Sequence, residues 1–328
     1  MNWKKIATVA LAGLMTTALL AGCGDDKPGA PTAPGKTAEA PAPPERHVEG
    51  VEFDYGGHHK GKVYAIKAPK SGGIELANDP VFMQDAIYIH GDEEKDGADK
   101  DYLLRLSLQG EKLSAPEVIT ESKGYGAIAA NGKAVFCNSN KPEDKGKAVS
   151  YDGKNLTQLD GKWPDKAVGI AGSDEFLICA GMDAIKIGTV TGNKLEMKDV
   201  ATLADNRGYE PIYADQNELY IAAAGPDEER ALLVLDKSGK EVRTITGWRD
   251  DEFGFWAVTQ NYIVMFGDAE YNEKADDDVC PLRVFDRATG KEIGEATVAN
   301  FSPESAVQMS GNTLIAHGDD ETFYIIDL

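Results

Sequence analysis

One short pattern constrains this chain more than any other. A tight polar turn followed by an apolar run recurs as MQDAIYIHG (83–91), ANGKAVFCN (130–138), AGSDEFLICAG (171–181), ADQNELYIAAA (214–224), TQNYIVMFGD (259–268) and MSGNTLIAHGD (309–319). Successive copies begin roughly 40–50 residues apart. Between residues 210 and 246 the whole repeating unit can be read. A short strand leads into the turn Asp215-Gln216-Asn217, then come an apolar strand (219–223), a charged loop (225–230) and a third strand (231–235). The turn 236–240 reverses the chain into a fourth strand, 241–246. Short β-rich runs bounded by Gly, Asn, Asp and Ser suit antiparallel strands, because those residues tolerate turn dihedrals.

Four strands per unit at this period predict an all-β chain, a β-propeller of four-stranded antiparallel blades in which each blade buries its faces against its neighbours. A β-sandwich is the alternative. The N-terminal piece (51–76: VEFDYGG, KVYAIKA, GIEL) matches strands two, three and four of a unit; the C-terminal piece (306–328) matches strands one, two and three. Pairing between the two ends would close the ring and remove exposed sheet edges. Strand matching therefore predicts seven blades, and the repeat spacing six as the alternative.

The first 46 residues read differently. Lys4 and Lys5 precede an apolar run, Ile6 to Leu20, which has the form of an export signal and is short for a membrane span. The run ends Leu20-Ala21-Gly22-Cys23, which resembles the lipobox of bacterial lipoproteins. That resemblance implies residues 1–22 as a cleaved signal peptide and Cys23 as the lipidated, palmitate-type anchor. With Gly24 after the cysteine, it implies the outer membrane if the source has two membranes. Residues 23–46, rich in Pro and Ala, have no apolar periodicity and are expected to form a stiff tether. The propeller domain is then 47–328, in the cell envelope and outside the cytoplasm.

The chain has 34 basic and 55 acidic residues, a net charge of −21. Such a surface argues against nucleic acid or an anionic lipid face as partner, and suits a basic protein surface or cations. Beyond Cys23, Cys137 and Cys179 occupy the same repeat position in consecutive units, as far apart as packed sheets, about 10 Å, which exceeds disulfide reach. They and Cys280 read as small buried hydrophobes.

The hairpins VFDRATGKEI (284–293), LVLDKSGKEV (233–242) and VYAIKAPKSGGIEL (63–76) resemble the repeat of quinoprotein-type propellers. That family includes quinone-dependent dehydrogenases and, without any cofactor, the propeller lipoprotein of the outer-membrane barrel-assembly machinery. The tryptophan that closes those repeats is absent: Gly294 and Arg243 stand in its place. The resemblance thus implies the architecture and no quinone cofactor.

In a propeller the second-to-third loops and the blade connections share one face. Here that face takes the acidic stretches 91–101, 226–229, 268–278 and 318–321, while lysines populate the other. Aromatic anchors inside a charged rim suit protein binding, so Tyr125, Tyr209, Trp248, Asp250, Asp251 and Phe253 are expected to form a partner-binding patch for an envelope protein with a basic surface. Packing between blades is the other use of such aromatics. His90 and His317 end equivalent strands, each followed by Gly and Asp. With His58, His59, Asp92 and Asp319 they make a candidate site for a divalent metal. Calcium loops, nucleophile elbows, phosphate loops and zinc-protease signatures are absent from the sequence. The expectation is a membrane-tethered scaffold with no catalytic residues; the competing class is an enzyme or small-molecule binder using the central channel.

Overall fold

The computed structural model describes residues 50–328 except 71, 96–97, 123–126, 182, 205–207, 225–229, 247–253, 273–276 and 319–320. The chain enters through β1 (Val51–Asp54) and β2 (Lys60–Lys67), then builds blades in order. Blade 1 holds β3 (Glu75–Met83), β4 (Ala86–Lys95) and β5 (Ala98–Gln109), with β6 (Lys112–Leu113) and β7 (Glu117–Glu121) both paired to β5. Blade 2 comprises β8 (Ala129–Ala130), β9 (Val135–Asn138), β10 (Ala148–Tyr151) and β11 (Leu156–Gln158). Blade 3 is β12 (Ala167–Gly169), β13 (Glu175–Ala180), β14 (Ala184–Thr191) and β15 (Lys194–Thr202). In blade 4 come β16 (Gly208–Ala214), β17 (Glu218–Ala224), β18 (Arg230–Asp236) and β19 (Glu241–Thr246). Blade 5 has β20 (Phe255–Val258), β21 (Tyr262–Phe266), β23 (Asp277–Asp286) and β24 (Glu292–Ala299), with short β22 (Glu270–Asn272) beside β23. Blade 6 is β25 (Pro303–Ser310), β26 (Thr313–Gly318) and β27 (Thr322–Asp327), completed by β2 and β1.

The first strands of successive blades touch in a closed cycle: β3 meets β8, β8 meets β12, and so on through β16, β20 and β25 back to β3. This is a six-bladed β-propeller. Each interface between blades holds its own apolar cluster: Ile87, Ile89 and Phe323 between blades 6 and 1, for example, and Tyr220, Trp256 and Met265 between blades 4 and 5. Because both faces of a blade are covered, the second strands are continuously buried: β13 reads EFLICA and β26 TLIAHG. The outermost strands face water on one side, and β11 is exposed throughout.

All six turn-plus-strand motifs are second strands, and in four of them a side chain closes the turn before the strand. Asp215 Oδ1 accepts the backbone N–H groups of Asn217 and Glu218, and Asn131 Oδ1 those of Lys133 and Ala134; Ser173 Oγ accepts from Glu175, and Thr259 Oγ1 from Tyr262. A side-chain oxygen that mimics a backbone acceptor closes the turn that starts the strand.

The expected count of seven blades is corrected to six. Residues 51–67 start no blade: β2 pairs antiparallel with β27, from Lys62↔Asp327 to Lys67↔Thr322, as the fourth strand of blade 6, and β1 is a fifth strand outside it. Glu75, read as the end of a fourth strand, opens the first strand of blade 1 instead. The closure between chain ends is as expected; the misassigned strands accounted for the extra blade.

Candidate functional site

The registers put the β4–β5 turn and the blade connections on one face, the connection face, and the other turns on the opposite face. On blade 1 the hairpin extends well out on the connection face, since β4 and β5 stay paired as far as Lys95↔Ala98. Register places Glu75 opposite Asp92 and Asp92 opposite Asp101, a row of carboxylates across three adjacent strands. Glu94 stands opposite Asp99 one step further out. Side chains two residues apart on a strand share a face, so these five acids lie together, on the side that below them buries Tyr88 and Leu103 against blade 2. Like charges directly opposite each other in a sheet destabilise it by a few tenths to about 1 kcal/mol per pair. The Asp92 carboxyl is accordingly raised above its ordinary pKa, by partial burial first and then by the charges of Glu75, Asp101 and Asp99. On the hairpin's other side Tyr102 donates to Glu93 at 3.0 Å, and Lys100 pairs with Glu121 at 3.5 Å.

A second polar group lines the central channel, where the blades' first strands leave a cavity of about 1150 Å³. Bulges interrupt the pairing of β3 between Ala77 and Val81, of β16 between Pro211 and Tyr213, and of β25 between Pro303 and Ser305. Each contains or adjoins a proline and carries an acidic neighbour into the lining: Asp79 before Pro80, Glu210 before Pro211, Glu304 after Pro303. A first strand has one edge open to the channel, which is where proline's missing N–H is tolerated. Asp79 and Glu210 reach channel solvent, yet protein encircles them. Burial raises the pKa of both, and Asp79's charge raises Glu210 further while Lys166 lowers it. Lys166 Nζ donates to the Tyr209 carbonyl at 2.9 Å.

The structure distributes the sequence-predicted residues unevenly. Cys23, Tyr125, Trp248, Asp250, Asp251, Phe253 and Asp319 lie outside the described residues. Tyr209 is corrected from contact surface to interblade core. It is 5 % exposed, packs in the cluster between blades 3 and 4, and its hydroxyl donates to the Ala204 carbonyl at 3.1 Å. Trp163 behaves likewise, stacked on Phe136 with ring centres 4.9 Å apart.

The histidines do not share one face. His58 and His59 sit in the β1–β2 turn, which the pairing of β2 with β27 places on the face opposite the connections; His59 stacks on Tyr55 and meets Tyr262 edge-on. His90 and His317 are buried within blades 1 and 6, where His90 Nδ1 is 2.9 Å from Ser122 Oγ and the His317 ring lies 5.1 Å from that of Phe323. Among the described residues no three His, Cys, Asp or Glu side chains are grouped to hold a metal ion. Sequence reasoning missed the channel acids, although an acid beside a proline at the start of a first strand was visible in the chain.

No protein-family model matches this chain, and no curated protein matches it in sequence. Among solved structures, the crystal structure of the WD40 β-propeller domain of Doa1 is similar over 78 % of this chain and 97 % of that one, at 14 % identity and a TM-score of 0.42. The crystal structure of TolB from Acinetobacter baumannii is similar over 70 % of this chain and 55 % of that one, at 13 % identity and a TM-score of 0.46. At these values neither likeness informs function, which rests on this chain's own residues.

Proposed function

We propose that this protein is a lipid-tethered scaffold of the cell envelope that docks a basic surface of another protein on its acidic connection face. The observation that carries this is the carboxylate row Glu75–Asp92–Asp101, extended by Glu94 and Asp99, on one side of a projecting hairpin. A sheet that places like charges opposite one another is stabilised when a cationic surface covers them, and the same field steers such a partner inward. The leader, the Leu20–Cys23 motif and the Pro/Ala-rich stretch to residue 46 support the anchor and its reach. Lysines at the hairpins of the opposite face, Lys112 at the start of β6 and Lys154 and Lys291 in turns among them, give the disc a direction.

The test is in-cell photo-crosslinking of the full chain with a photoreactive residue at Glu94 or, as control, at Lys291. A discrete adduct from position 94 that is absent from 291 and lost on raising salt is the expected result. Equal labelling from both positions would sink the proposal.

A further inference from the structure

The strand β1 lies outside the closed ring. Blade 6 already has four strands in β25, β26, β27 and β2, and β2 supplies the closure through its pairing with β27 from Lys62↔Asp327 to Lys67↔Thr322. Among the described strands β1 pairs with β2 alone, from Val51↔Val63 to Asp54↔Lys60. The Glu52–Lys62 ion pair between them is 3.9 Å long and open to solvent, so it adds little.

The hold of β1 is apolar and reaches across the seam. Phe53 and, just beyond the strand, Tyr55 are buried in the cluster between blades 5 and 6. The tip of the Phe53 ring fills the space above Gly61 of β2, where a Cβ would lie 2.2 Å from its Cζ. The Tyr55 ring meets that of Tyr262, in blade 5, edge-on at 6.1 Å. Gly56 comes so close to β24 that a Cβ there would lie 2.9 Å from the Ile293 carbonyl oxygen. Gly56 and Gly57, both at positive φ, then turn the chain into β2. Residues 51–59 are thus a short flap, plugged by two aromatic rings and hinged on glycine, and the four-stranded sheet of blade 6 is complete without them.

We propose that β1 is a strap that opens ahead of the ring when the chain preceding it is pulled, so that tension is taken up at the strap while the propeller stays closed. The chain enters the domain at β1, which makes this strand the first to carry a load. Only after it gives does the load reach β2, which β27 still holds along its other edge. Opening uncovers Phe53, Tyr55 and one edge of β2. On relaxation the strap is reseated, because its covalent link keeps its effective concentration at the edge high. The source of the load rests on the lipid-anchor reading above; the opening itself does not.

Optical-tweezers pulling on the full-length protein tests this, with one handle at His47 and the other at Lys154 in blade 2. A first, reversible lengthening of roughly 30 Å, the extended reach of residues 51–59, is expected before the ring unfolds. Glu52→Cys with Lys62→Cys places two thiols directly opposite each other in the register, within disulfide reach. Oxidised, this variant should lack the first step, and reduction should restore it. Hydrogen exchange at rest is the second readout: Phe53→Ala should speed exchange over residues 51–59 by roughly tenfold or more, with β26 and β27 unchanged. Neither readout needs a membrane, so both are separable from a failure of the anchor, which palmitate labelling at Cys23 reports. A first event that unfolds the whole domain, a step that survives the lock, or equal acceleration of β27 by Phe53→Ala would overturn the proposal.

Discussion

The Arg287 guanidinium, in the turn between β23 and β24 of blade 5, lies 5.1 Å from the centre of the Tyr220 ring in blade 4, and its Nε donates to the Tyr220 hydroxyl at 2.7 Å. The same group pairs with Asp215, sits 5.0 Å from the Tyr213 ring and donates through Nη1 to the Thr259 carbonyl at 3.1 Å. Arg243 reaches the network from β19, holding Glu218 with both terminal nitrogens and donating to the Arg287 carbonyl at 2.7 Å. The planar fork of arginine makes this possible, since one group can satisfy a carboxylate, a hydroxyl and a carbonyl while stacking on two rings. The network rivets blade 4 to blade 5.

Arg287→Ala should therefore cost about 3–5 kcal/mol, the range for leaving one member of a buried ion pair uncompensated. Arg287→Lys keeps the charge but loses the fork, and should recover less than half of that. Urea denaturation followed by tryptophan fluorescence measures both; a loss under 1 kcal/mol for the alanine variant would show that the rivet is ornamental.

Acid acts on two sets of carboxyls with opposite sign. Burial alone would raise Asp215 and Glu218, but it is outweighed at Asp215 by the backbone N–H groups of Asn217 and Glu218 and by Arg287, and at Glu218 by Arg243 and Tyr220, so both lie below their ordinary pKa. Their stabilisation is complete above about pH 4, where the unfolded carboxyls ionise, and is lost as pH falls through the folded values. Asp79, Glu210 and Asp92 are raised, so the folded state takes up their protons first and gains stability as pH falls from neutral toward about 4. Denaturation free energy should peak in mildly acidic buffer. Arg287→Ala should flatten the acid limb, and Asp79→Asn the neutral one. A maximum that stays at neutral pH in all three proteins would contradict this assignment.

The propeller was legible because each blade repeats a tight polar turn feeding a strand buried on both faces, closed in four blades by an Asx-type or hydroxyl bond and in the other two by positive-φ residues, Gln84 and Asp85 in blade 1 and Gly311 in blade 6. Asp215, Asn131 and Thr259 show it directly. The blade count was not, because a fourth strand such as Lys60–Lys67, with Val63, Tyr64 and Ile66 buried, carries the same apolar content as a third. Which neighbour it pairs with depends on residues more than 250 positions away, at Thr322–Asp327. Charge segregation was visible as composition, but the alignment of Glu75, Asp92 and Asp101 into one row needed the register. The channel group was hidden most thoroughly, since Asp79, Lys166, Glu210 and Ser305 come from four different blades.

Gly294 stands where the resembling repeats carry tryptophan, and the seam explains it. A Cβ at this position would lie 1.8 Å from the Tyr55 carbonyl oxygen and 2.7 Å from its carbon, so β24 of blade 5 abuts the end of β1 with no room for a side chain. The obstacle is backbone, which cannot swing aside. Gly294→Ala should destabilise by about 1–3 kcal/mol, the usual cost of overpacking. It should raise amide exchange first in β1 (Val51–Asp54), the outermost strand of the closing blade. Uniform exchange across the blades, with no excess in β1, would show that the close approach does not hold the seam.

The three domain cysteines provide the last expectation. Cys137, Cys179 and Cys280 are 1 %, 6 % and 0 % exposed and unbridged, and burial pushes each thiol up to about 12, with Asp268 adding to the effect at Cys280. A thiol that is neither accessible nor ionised is a poor nucleophile. Native protein at pH 8 should leave all three unmodified by Ellman's reagent for hours, and guanidinium should release all three together, because each sits in a different interblade cluster and the ring opens as one unit. Stepwise release, with Cys280 of the blade 5–6 cluster ahead of Cys137 and Cys179, would instead place the weakest interface at the seam, where closure depends on strands from both chain ends. Mass spectrometry of the labelled peptides tells the two apart.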